Sequence, residues 1–319
     1  MNMTAKEAAA WLLSRDSFLI TNHLRPDGDA HGSAAALCQG LRECGKTAYI
    51  LPNPDSTERY IPWVNKYYPD PEDDFAPAFI LSVDTASVGM LNTAAASFAD
   101  RIDLAVDHHP SNTFYAKNTC LDGSMASCGE IVYELLTAMP CGVSKESAAP
   151  LYIALSTDTG CFAFANTTSN TLRVAAELVD AGAPQAELNR ILFRTKAKRR
   201  MLLEGDIFSH IEFYFGDRVA VISITRAMMD HYGVTENDMD DIAAIPGSVE
   251  DVLVGITIRE LNGGGCKVSV RSGPDFDSNA LCSRFGGGGH KMAAGLSMDK
   301  DAASMKAMLL EALGETFAQ

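Results

Sequence analysis

Acidic and imidazole side chains crowd into a short stretch that follows the first apolar run of the chain. In "ITNHLRPDGDAHGS", residues 20–33, His23, Asp27 and Asp29 fall within seven positions, and a helical pattern begins beside them. Carboxylates at this spacing repel one another, and a turn needs only one Asp or Gly. Folding alone gives no reason to collect these residues, so we expect them to hold a ligand.

More acids and histidines follow other apolar runs. Asp84 ends "PAFILSVD", Asp107, His108 and His109 end "RIDLAVDHH", and Asp158 ends the helical pattern of "PLYIALSTD". Each has an ordinary interpretation when taken alone, because a strand-end Asp is usually a cap or a turn former, and an isolated His is more often structural. Their repeated occurrence after apolar elements favours a shared site.

The elements that must position these residues alternate between strand and helix up to about residue 185. We predict strands at 17–23, 47–53, 77–84 and 101–107, and helices at 29–44, 127–139, 144–157 and 168–181. Almost wholly apolar strands that alternate with helices indicate a doubly wound α/β domain with a parallel sheet. Ligands bind such sheets at the carboxyl ends of the strands, where the acids and imidazoles would meet.

Positive charge must accompany such a group, because four Asp and two His at one sheet edge would otherwise be strongly destabilising. Carboxylate and imidazole ligands without thiolate favour Mn²⁺, with Mg²⁺ or Fe²⁺ as alternatives. The eight cysteines form no CxxC pair and do not indicate zinc. Six ligand groups exceed what one ion with an open position needs, so we expect two divalent ions and the hydrolysis of a phosphate ester.

Composition limits the classes of partner. The 319 residues carry a net charge of −15, and residues 211–319 hold 9 Lys and Arg against 16 Asp and Glu. A protein that grips a long nucleic acid usually presents a basic face, so we expect no binding of long duplexes. No apolar run of about 18 residues predicts a membrane span. The start of the chain lacks the pattern of an export signal, so we expect reduced thiols and a cytoplasmic location.

The rhythm of the sequence changes after the first domain. We predict a catalytic domain at 1–186, a basic linker helix at 187–210 and a smaller α/β domain with a mixed sheet at 211–319. In the last domain we expect strands at 217–225, 249–261 and 266–272, and helices at 226–232, 235–245, 278–285 and 301–317. The basic run "RTKAKRR", 194–200, is most simply a solvated helix face; alternatively, part of it attracts an anionic substrate.

A second candidate binding segment is the glycine run in "GGGGHKMAAG", 286–295. Glycine lets backbone N–H groups approach an anion, so Gly288, Gly289 and His290 are candidates for substrate binding in a loop. The other run, "NGGGC" at 262–266, carries no charge between two predicted strands. We expect it to be a hairpin turn.

The motifs "NHLRPDGDAHGS", "SVDT", "VDHH" and "STDTG" occur in the order found in the DHH phosphoesterase superfamily, which the chain resembles over about residues 18–166. "RFGGGGHKMAAG", with "VSVRS" before it, is similar to the DHH-associated C-terminal domain of the exonuclease-type branch. The layout is most similar to the nano-RNase and 3′-phosphoadenosine 5′-phosphate phosphatase group. The resemblance implies hydrolysis of very short RNA to mononucleotides. It also implies 3′-phosphoadenosine 5′-phosphate as a further substrate.

Two alternatives remain open at this point. One is a phosphodiesterase for cyclic or linear dinucleotides of the pApA type, and the other is a metal-dependent nucleotide sensor without turnover. A homodimer is compatible with the family, although no interface signature is visible in the sequence.

The resemblance also implies roles for individual residues. One metal ion would be held by His23, Asp27 and Asp84, and the second by Asp29, Asp84, His108 and Asp158. Asp107 would orient a ligand imidazole, and His109 would contact the scissile phosphate and help to protonate the leaving oxygen. Arg271 and Ser272 would contact a substrate phosphate. His31 is expected to be a non-ligand, because on a helix it points away from Asp29.

Overall fold

The structure is a computed structural model, and it describes residues 2–70, 72, 74–239 and 241–317. The chain divides into two compact units, one ending at Thr195 and the other beginning at Lys196. The three-part division at residues 186 and 210 stays a prediction. Within the described residues, no helix is both long and apolar enough to cross a lipid bilayer.

The first unit contains a parallel sheet whose strand order is β2-β1-β3-β4-β5. The strands are β1 (Phe18–Thr21), β2 (Ala48–Ile50), β3 (Phe79–Val83), β4 (Ile102–Asp107) and β5 (Asn118–Leu121). The parallel α/β prediction is therefore confirmed. Only β5 was not predicted, because "NTCL" is short and half polar.

The helices of the first unit contribute to one large hydrophobic core. They are α1 (Ala5–Leu13), α2 (Gly28–Glu43), α3 (Ile61–Val64), α4 (Cys128–Thr137), α5 (Lys145–Asp158), α6 (Ser169–Asp180) and α7 (Gln185–Asn189). Phe18 and Ile20 point into the large core shared with these helices, whereas Leu19 points to the opposite face. There it joins a smaller core with Ala95, from the 3₁₀ turns at Thr93–Arg101 that connect β3 to β4.

Close contact between α2 and α5 brings the two acid-bearing helix ends together. A Cβ atom at Gly28 would overlap the side chain of Thr157, and one at Gly32 would overlap the carbonyl oxygen of Pro150. The start of α2 therefore lies beside the end of α5. Because of this packing, Asp29 in the first turn of α2 faces the end of the helix that carries Asp158.

The second unit contains a mixed sheet in the order β10-β11-β9-β8-β7-β6, in which only β7 and β8 are parallel neighbours among the described residues. The strands are β6 (Glu212–Tyr214), β7 (Val219–Ile224), β8 (Val254–Glu260), β9 (Cys266–Ser272), β10 (Gly288–His290) and β11 (Ala293–Met298). The helices are α8 (Lys198–Ser209), α9 (Arg226–Tyr232), α10 (Ser278–Ser283) and α11 (Ala302–Phe317). The predicted mixed-sheet domain and the hairpin turn at 262–266 are confirmed.

Two predicted helices have a different conformation. The single basic linker helix is wrong, because α7 continues into a π turn at Arg190–Arg194 and the chain is extended at Thr195 and Ala197 before α8 begins. The predicted helix at 235–245 is also wrong: 3₁₀ turns occupy Glu236–Asp238 and Ile242–Ala244, while residue 240 lies outside the described part.

Ion pairs account for much of the charge in the basic run. Lys196 and Arg200 both bind Glu204, with N–O distances of 2.8 Å, and Arg199 binds Asp238 at 2.8 Å. These pairs hold the basic side chains against acids of the same unit. Lys196 and Arg199 remain half exposed, as a surface face predicts, whereas Arg200 is buried with Glu204.

Replacing Gly32 with Ala should lower the free energy of unfolding by about 1–3 kcal/mol, because the added methyl group overlaps the backbone of α5. Urea denaturation followed by circular dichroism measures the change. Gly205→Ala in α8 is the control, since nothing lies within 4 Å of a Cβ atom there. This second change should stabilise its helix by up to about 1 kcal/mol. Equal tolerance of both changes would contradict the packing described for α2 and α5.

Candidate metal centre

The loop after β1 delivers the first of the predicted ligands. One oxygen of Asp27 caps α2, accepting hydrogen bonds from the N–H groups of Asp29 at 3.0 Å and Ala30 at 3.1 Å. The same oxygen lies 4.0 Å from His23 Nε2. Asp27 is therefore the N-cap of α2, and its side chain remains 58% exposed beside His23.

Asp84 lies at the centre of the acidic and imidazole side chains. It follows β3 with a φ of +51°, in the left-handed region that non-glycine residues rarely adopt. Its Oδ2 lies 3.5 Å from His23 Nε2, and its Oδ1 lies 3.5 Å from His108 Nε2. Oδ1 is buried and has no hydrogen-bond partner within the described part of the chain. A buried carboxylate oxygen that faces imidazoles and accepts no hydrogen bond fits the role of a cation ligand.

A second group of ligand atoms surrounds His108. Its Nε2 lies 3.7 Å from Asp29 Oδ2 and 3.7 Å from Asp158 Oδ2. Asp29 is fully buried, and its carboxylate accepts hydrogen bonds from the N–H groups of Cys128 at 2.6 Å and Gly129 at 2.9 Å. The first turn of α4 therefore fixes Asp29 from one side, while His108 and Asp158 face it from the other.

The donor atoms fit divalent cations. They form three groups in which all atoms lie within 4.8 Å of one another; the groups are His23–Asp27–Asp84, Asp29–His108–Asp158 and Asp84–His108–His109. Burial, followed by repulsion from neighbouring acids, raises the pKa of Asp29 and Asp84 well above the usual range. The same causes raise the pKa of Asp158 to about 7. Bound cations would offset both the burial of these carboxylates and their mutual repulsion. The structure thus brings together all six predicted ligands, whose role as ligands stays a prediction.

His109 belongs to a hydrogen-bonded chain beside this group. Its Nδ1 donates to Asp107 Oδ1 at 2.7 Å, and the amide of Asn112 donates to the other oxygen of Asp107 at 2.6 Å. The hydrogen bond to Asp107 is the main reason that the pKa of His109 is raised. The expectation that Asp107 orients a ligand imidazole needs correction, because the Nδ1 of His108 faces the carbonyl of Met125 instead, at 3.3 Å.

Sequence reasoning missed Asn112, although the motif "HHPSN" contains it. A single Asn in a loop is normally read as a turn former. His31 lies outside all three groups of ligand atoms. It is buried, its ring packs at a tilt against Tyr60 with a centroid distance of 5.4 Å, and burial lowers its pKa to about 4.

The predicted substrate contacts of the second unit lie on neighbouring strands. Arg271 in β9 is opposite Ala293 in β11, which in turn is opposite His290 in β10. Side chains directly opposite one another project from the same face of a sheet, so Arg271 and His290 share a face. They are separated by two strand spacings, or about 9.6 Å, with only a small Ala side chain between them.

The second half of the glycine run, Gly288 and Gly289, lies in the hairpin strand β10 rather than in the predicted loop. Gly289 has a φ of +149°, and a Cβ atom there would lie 2.5 Å from the carbonyl oxygen of Ala293. Close pairing of β10 with β11 therefore demands glycine, whatever else it does. Ser272 donates to the carbonyl of Phe276 at 3.2 Å and lies 2.8 Å from the hydroxyl of Ser278. Substrate contacts by all five residues, Arg271, Ser272, Gly288, Gly289 and His290, stay predictions.

Asp84→Asn should stabilise the protein in EDTA by about 1 kcal/mol or more, because it removes a charge from a buried, repulsive group. The same change should abolish the rise in Tm that divalent ions produce in the wild type. Thermal denaturation with and without Mn²⁺ measures both effects.

Asp103→Asn is the matched control for this change. Asp103 is also a buried sheet acid, but its oxygens accept hydrogen bonds from the N–H of Ile80 at 2.9 Å and from Lys117 at 2.8 Å. Its replacement should destabilise the protein while leaving the response to metal intact. A fall in Tm for Asp84→Asn in EDTA, with the metal response kept, would refute the assignment of Asp84.

Metal-free protein should become more stable as the pH falls from 8 to 6.5. Asp29, Asp84 and Asp158 have raised pKa values when folded, so the native chain binds more protons than the unfolded chain in this window. Stability is therefore lost as the pH rises. Below pH 6.5 the lowered pKa values of His31 and His108 act in the opposite direction. Tm measured in EDTA across this range checks the trend, and a Tm that rises steadily from pH 6.5 to 8 would contradict it.

Comparison with known proteins agrees with the geometry. Residues 17–155 match the DHH family, N-terminal domain, and residues 216–319 match the DHHA1 domain. A Thermus thermophilus protein named bifunctional oligoribonuclease and PAP phosphatase NrnA is 33% identical, over 88% of this chain and 83% of the relative. A Bacillus subtilis protein of the same name is 28% identical, over 89% and 90% of the two chains.

Solved structures share the fold. An exopolyphosphatase-related protein from Bacteroides fragilis superposes with a TM-score of 0.85 at 23% identity, covering 99% of this chain and 98% of that one. Exonuclease RecJ, in a crystal structure bound to manganese, superposes with a TM-score of 0.55 at 14% identity, covering 100% and 95%. Together with the relative that is 33% identical, the matched domains establish that this chain belongs to the DHH family and carries its DHHA1 domain.

Proposed function

We propose that this chain hydrolyses very short oligoribonucleotides to mononucleotides and removes a phosphate from 3′-phosphoadenosine 5′-phosphate, with two divalent metal ions, preferably Mn²⁺. The names of the curated relatives support the choice of substrates. The observation that carries the proposal is Asp84, whose two buried oxygens face two different imidazoles. That arrangement suits a carboxylate shared between two ions.

Two of the three groups of ligand atoms guide the assignment of residues to each ion, and Asp84 is added to the second because its Oδ1 lies 3.5 Å from His108 Nε2. The first ion is assigned to His23, Asp27 and Asp84, and the second to Asp29, Asp84, His108 and Asp158. When bound, such ions neutralise the carboxylates, polarise a phosphoryl oxygen and lower the pKa of a bound water.

His109 is assigned the proton transfer to the leaving group. Its Nδ1 is bound to Asp107, so Nε2 is the nitrogen left to reach the substrate. The side chain is 37% exposed, in contrast to the nearly buried His108, and it lies 3.7 Å from Asp84 Oδ1. A partly exposed imidazole with a fixed orientation and a raised pKa can contact a phosphate ester and protonate its leaving oxygen.

The second unit is assigned the binding of another anionic group of the substrate. Arg271 and His290 project from one face of its sheet, and Gly288, Gly289 and Ser272 lie on the same strands. The net charge of −15 supports short substrates, because a long phosphate chain would be repelled outside a local basic patch. Free thiols at all eight cysteines support the cytoplasm as the compartment.

Product release with Mn²⁺ from a 5-mer RNA, pApA, 3′-phosphoadenosine 5′-phosphate, a 24-mer RNA and pyrophosphate tests the proposal. The first three should be cleaved, the 24-mer much more slowly, and EDTA should stop the reaction. Asp84→Ala should lower the rate by at least roughly 100-fold, because the shared ligand is lost, whereas Asp103→Asn should remain active.

Three results would contradict the proposal. Nucleotide binding without any turnover would indicate a sensor, and equal rates for the 24-mer and the 5-mer would contradict the short-substrate assignment. Cleavage of pApA alone would instead indicate a dedicated dinucleotide phosphodiesterase.

A further inference from the structure

We infer that Asn112 is a positioning residue for the reaction, acting through Asp107 to fix the imidazole of His109. The inference rests on the proposed function, in which His109 protonates the leaving oxygen. Asn112 lies three residues after His109 in "HHPSN", and it belongs to none of the three groups of ligand atoms.

The contacts of Asp107 show why a third residue is needed. Its carboxylate is fully buried, with one oxygen on His109 Nδ1 at 2.7 Å and the other on the Asn112 amide at 2.6 Å. Asp107 ends β4, so its backbone is fixed by the sheet while its carboxyl group can still rotate about χ2. The amide of Asn112 determines that rotation, and the carboxyl group then determines the plane of the imidazole ring.

Asn112 also joins the loop that carries the histidines to the loop that follows Asp84. Its backbone N–H donates to the carbonyl of His109 at 3.0 Å, and the N–H of Thr113 donates to the carbonyl of Ala86 at 2.9 Å. Asn112 itself is 7% exposed, and its amide also lies 3.4 Å from the carbonyl of Thr85. The amide is thus held by the same segments that place Asp84 and His109.

A purely structural role for Asn112 is the competing explanation. That role would depend on the side-chain oxygen, whereas positioning depends on the side-chain nitrogen. Asn112 Oδ1 accepts a hydrogen bond from the N–H of Phe114 at 2.7 Å, as a turn-forming Asn or Asp commonly does. Asn112→Asp keeps this acceptor and the shape of the side chain. It replaces only the Nδ2 donor, with an oxygen that repels Asp107. A turn former would tolerate the change, whereas a positioning residue would not.

The chemical step supplies a selective readout. A water oxygen bonds to phosphorus as the bond from phosphorus to the leaving ribose oxygen breaks. The ribose oxygen takes a proton from His109. The proton lost by the water passes to solvent, from which His109 is reprotonated. A p-nitrophenyl leaving group needs no proton, so cleavage of a mononucleotide p-nitrophenyl ester should depend far less on the orientation of His109 than cleavage of a dinucleotide does.

The test compares wild type, Asn112→Asp and Asn112→Ala on a dinucleotide and on that ester. Both variants should lower kcat for the dinucleotide by roughly 10- to 100-fold with little change in KM, and slow the ester by a much smaller factor. Damage to the metal ligands would slow both substrates alike.

Asn53→Asp is the control. Asn53 is also 7% exposed, and its side-chain oxygen accepts a hydrogen bond from the N–H two residues on, but its amide nitrogen donates to Asn22 and to the carbonyl of His23. Its ratio of the two rates should equal that of the wild type.

A second readout does not need activity. In metal-free wild type, ¹H–¹⁵N correlation spectra of the imidazole should show the proton of His109 on Nδ1, and Asn112→Asp should lose that fixed state. An unchanged ratio of rates, or an unchanged His109 spectrum, in Asn112→Asp overturns the inference. If that variant does not fold, Asn112→Ala decides by the same two readouts. A wild type that cleaves neither substrate would refute the proposed function, while the spectra would still decide whether Asn112 positions His109.

Discussion

Mutual repulsion among buried carboxylates is the constraint on which the first unit depends. Asp29, Asp84 and Asp158 are brought to one edge of the sheet, and burial together with repulsion holds their pKa values above the usual range. Such a group is unfavourable in a protein that merely has to fold. The surrounding elements oppose that cost with rigid packing, most clearly at Gly32, where α2 and α5 are too close for any side chain.

Local strain is concentrated at the same edge. Asp84 adopts a left-handed backbone conformation immediately after a regular strand, and one of its oxygens is buried without a partner. Features of this kind cost of order 1–3 kcal/mol and persist where the surrounding structure enforces them. Here the neighbouring strands fix the backbone on both sides, which turns the carboxylate of Asp84 toward His23 and His108. The strained residue is thus also the one that joins the two groups of ligand atoms.

The sequence predicted what depends on hydrophobic pattern and on spacing along the chain. The apolar runs ending at Asp84 and Asp107 fixed the strands, and parallel strands bring their carboxyl ends to one edge, so the meeting of the acids could be foreseen. The β9 strand, Cys266–Ser272, and helix α9, Arg226–Tyr232, were predicted with the bounds observed. Short polar strands such as β5 could not be predicted, since "NTCL" is a strand only because β4 pairs with it.

Contacts between side chains were beyond the reach of the sequence. The hydrogen bond from His109 to Asp107 depends on how one loop folds back, and neighbouring histidines cannot be told apart by spacing alone. The glycines at 286–289 have a pattern typical of an anion-binding loop, yet their conformation is set by the close approach of β11. In both cases the sequence predicted which residues take part, whereas their contacts and backbone conformation depend on the tertiary structure.

The central claim is that these repelling carboxylates are held together for a pair of divalent cations that share Asp84. Anomalous diffraction at the manganese absorption edge, from crystals grown with Mn²⁺, tests it most directly. Two peaks per chain are expected, one beside His23 and one beside His108, with Asp84 contacting both. A single peak away from Asp84, or no peak at this edge of the sheet, would contradict the claim.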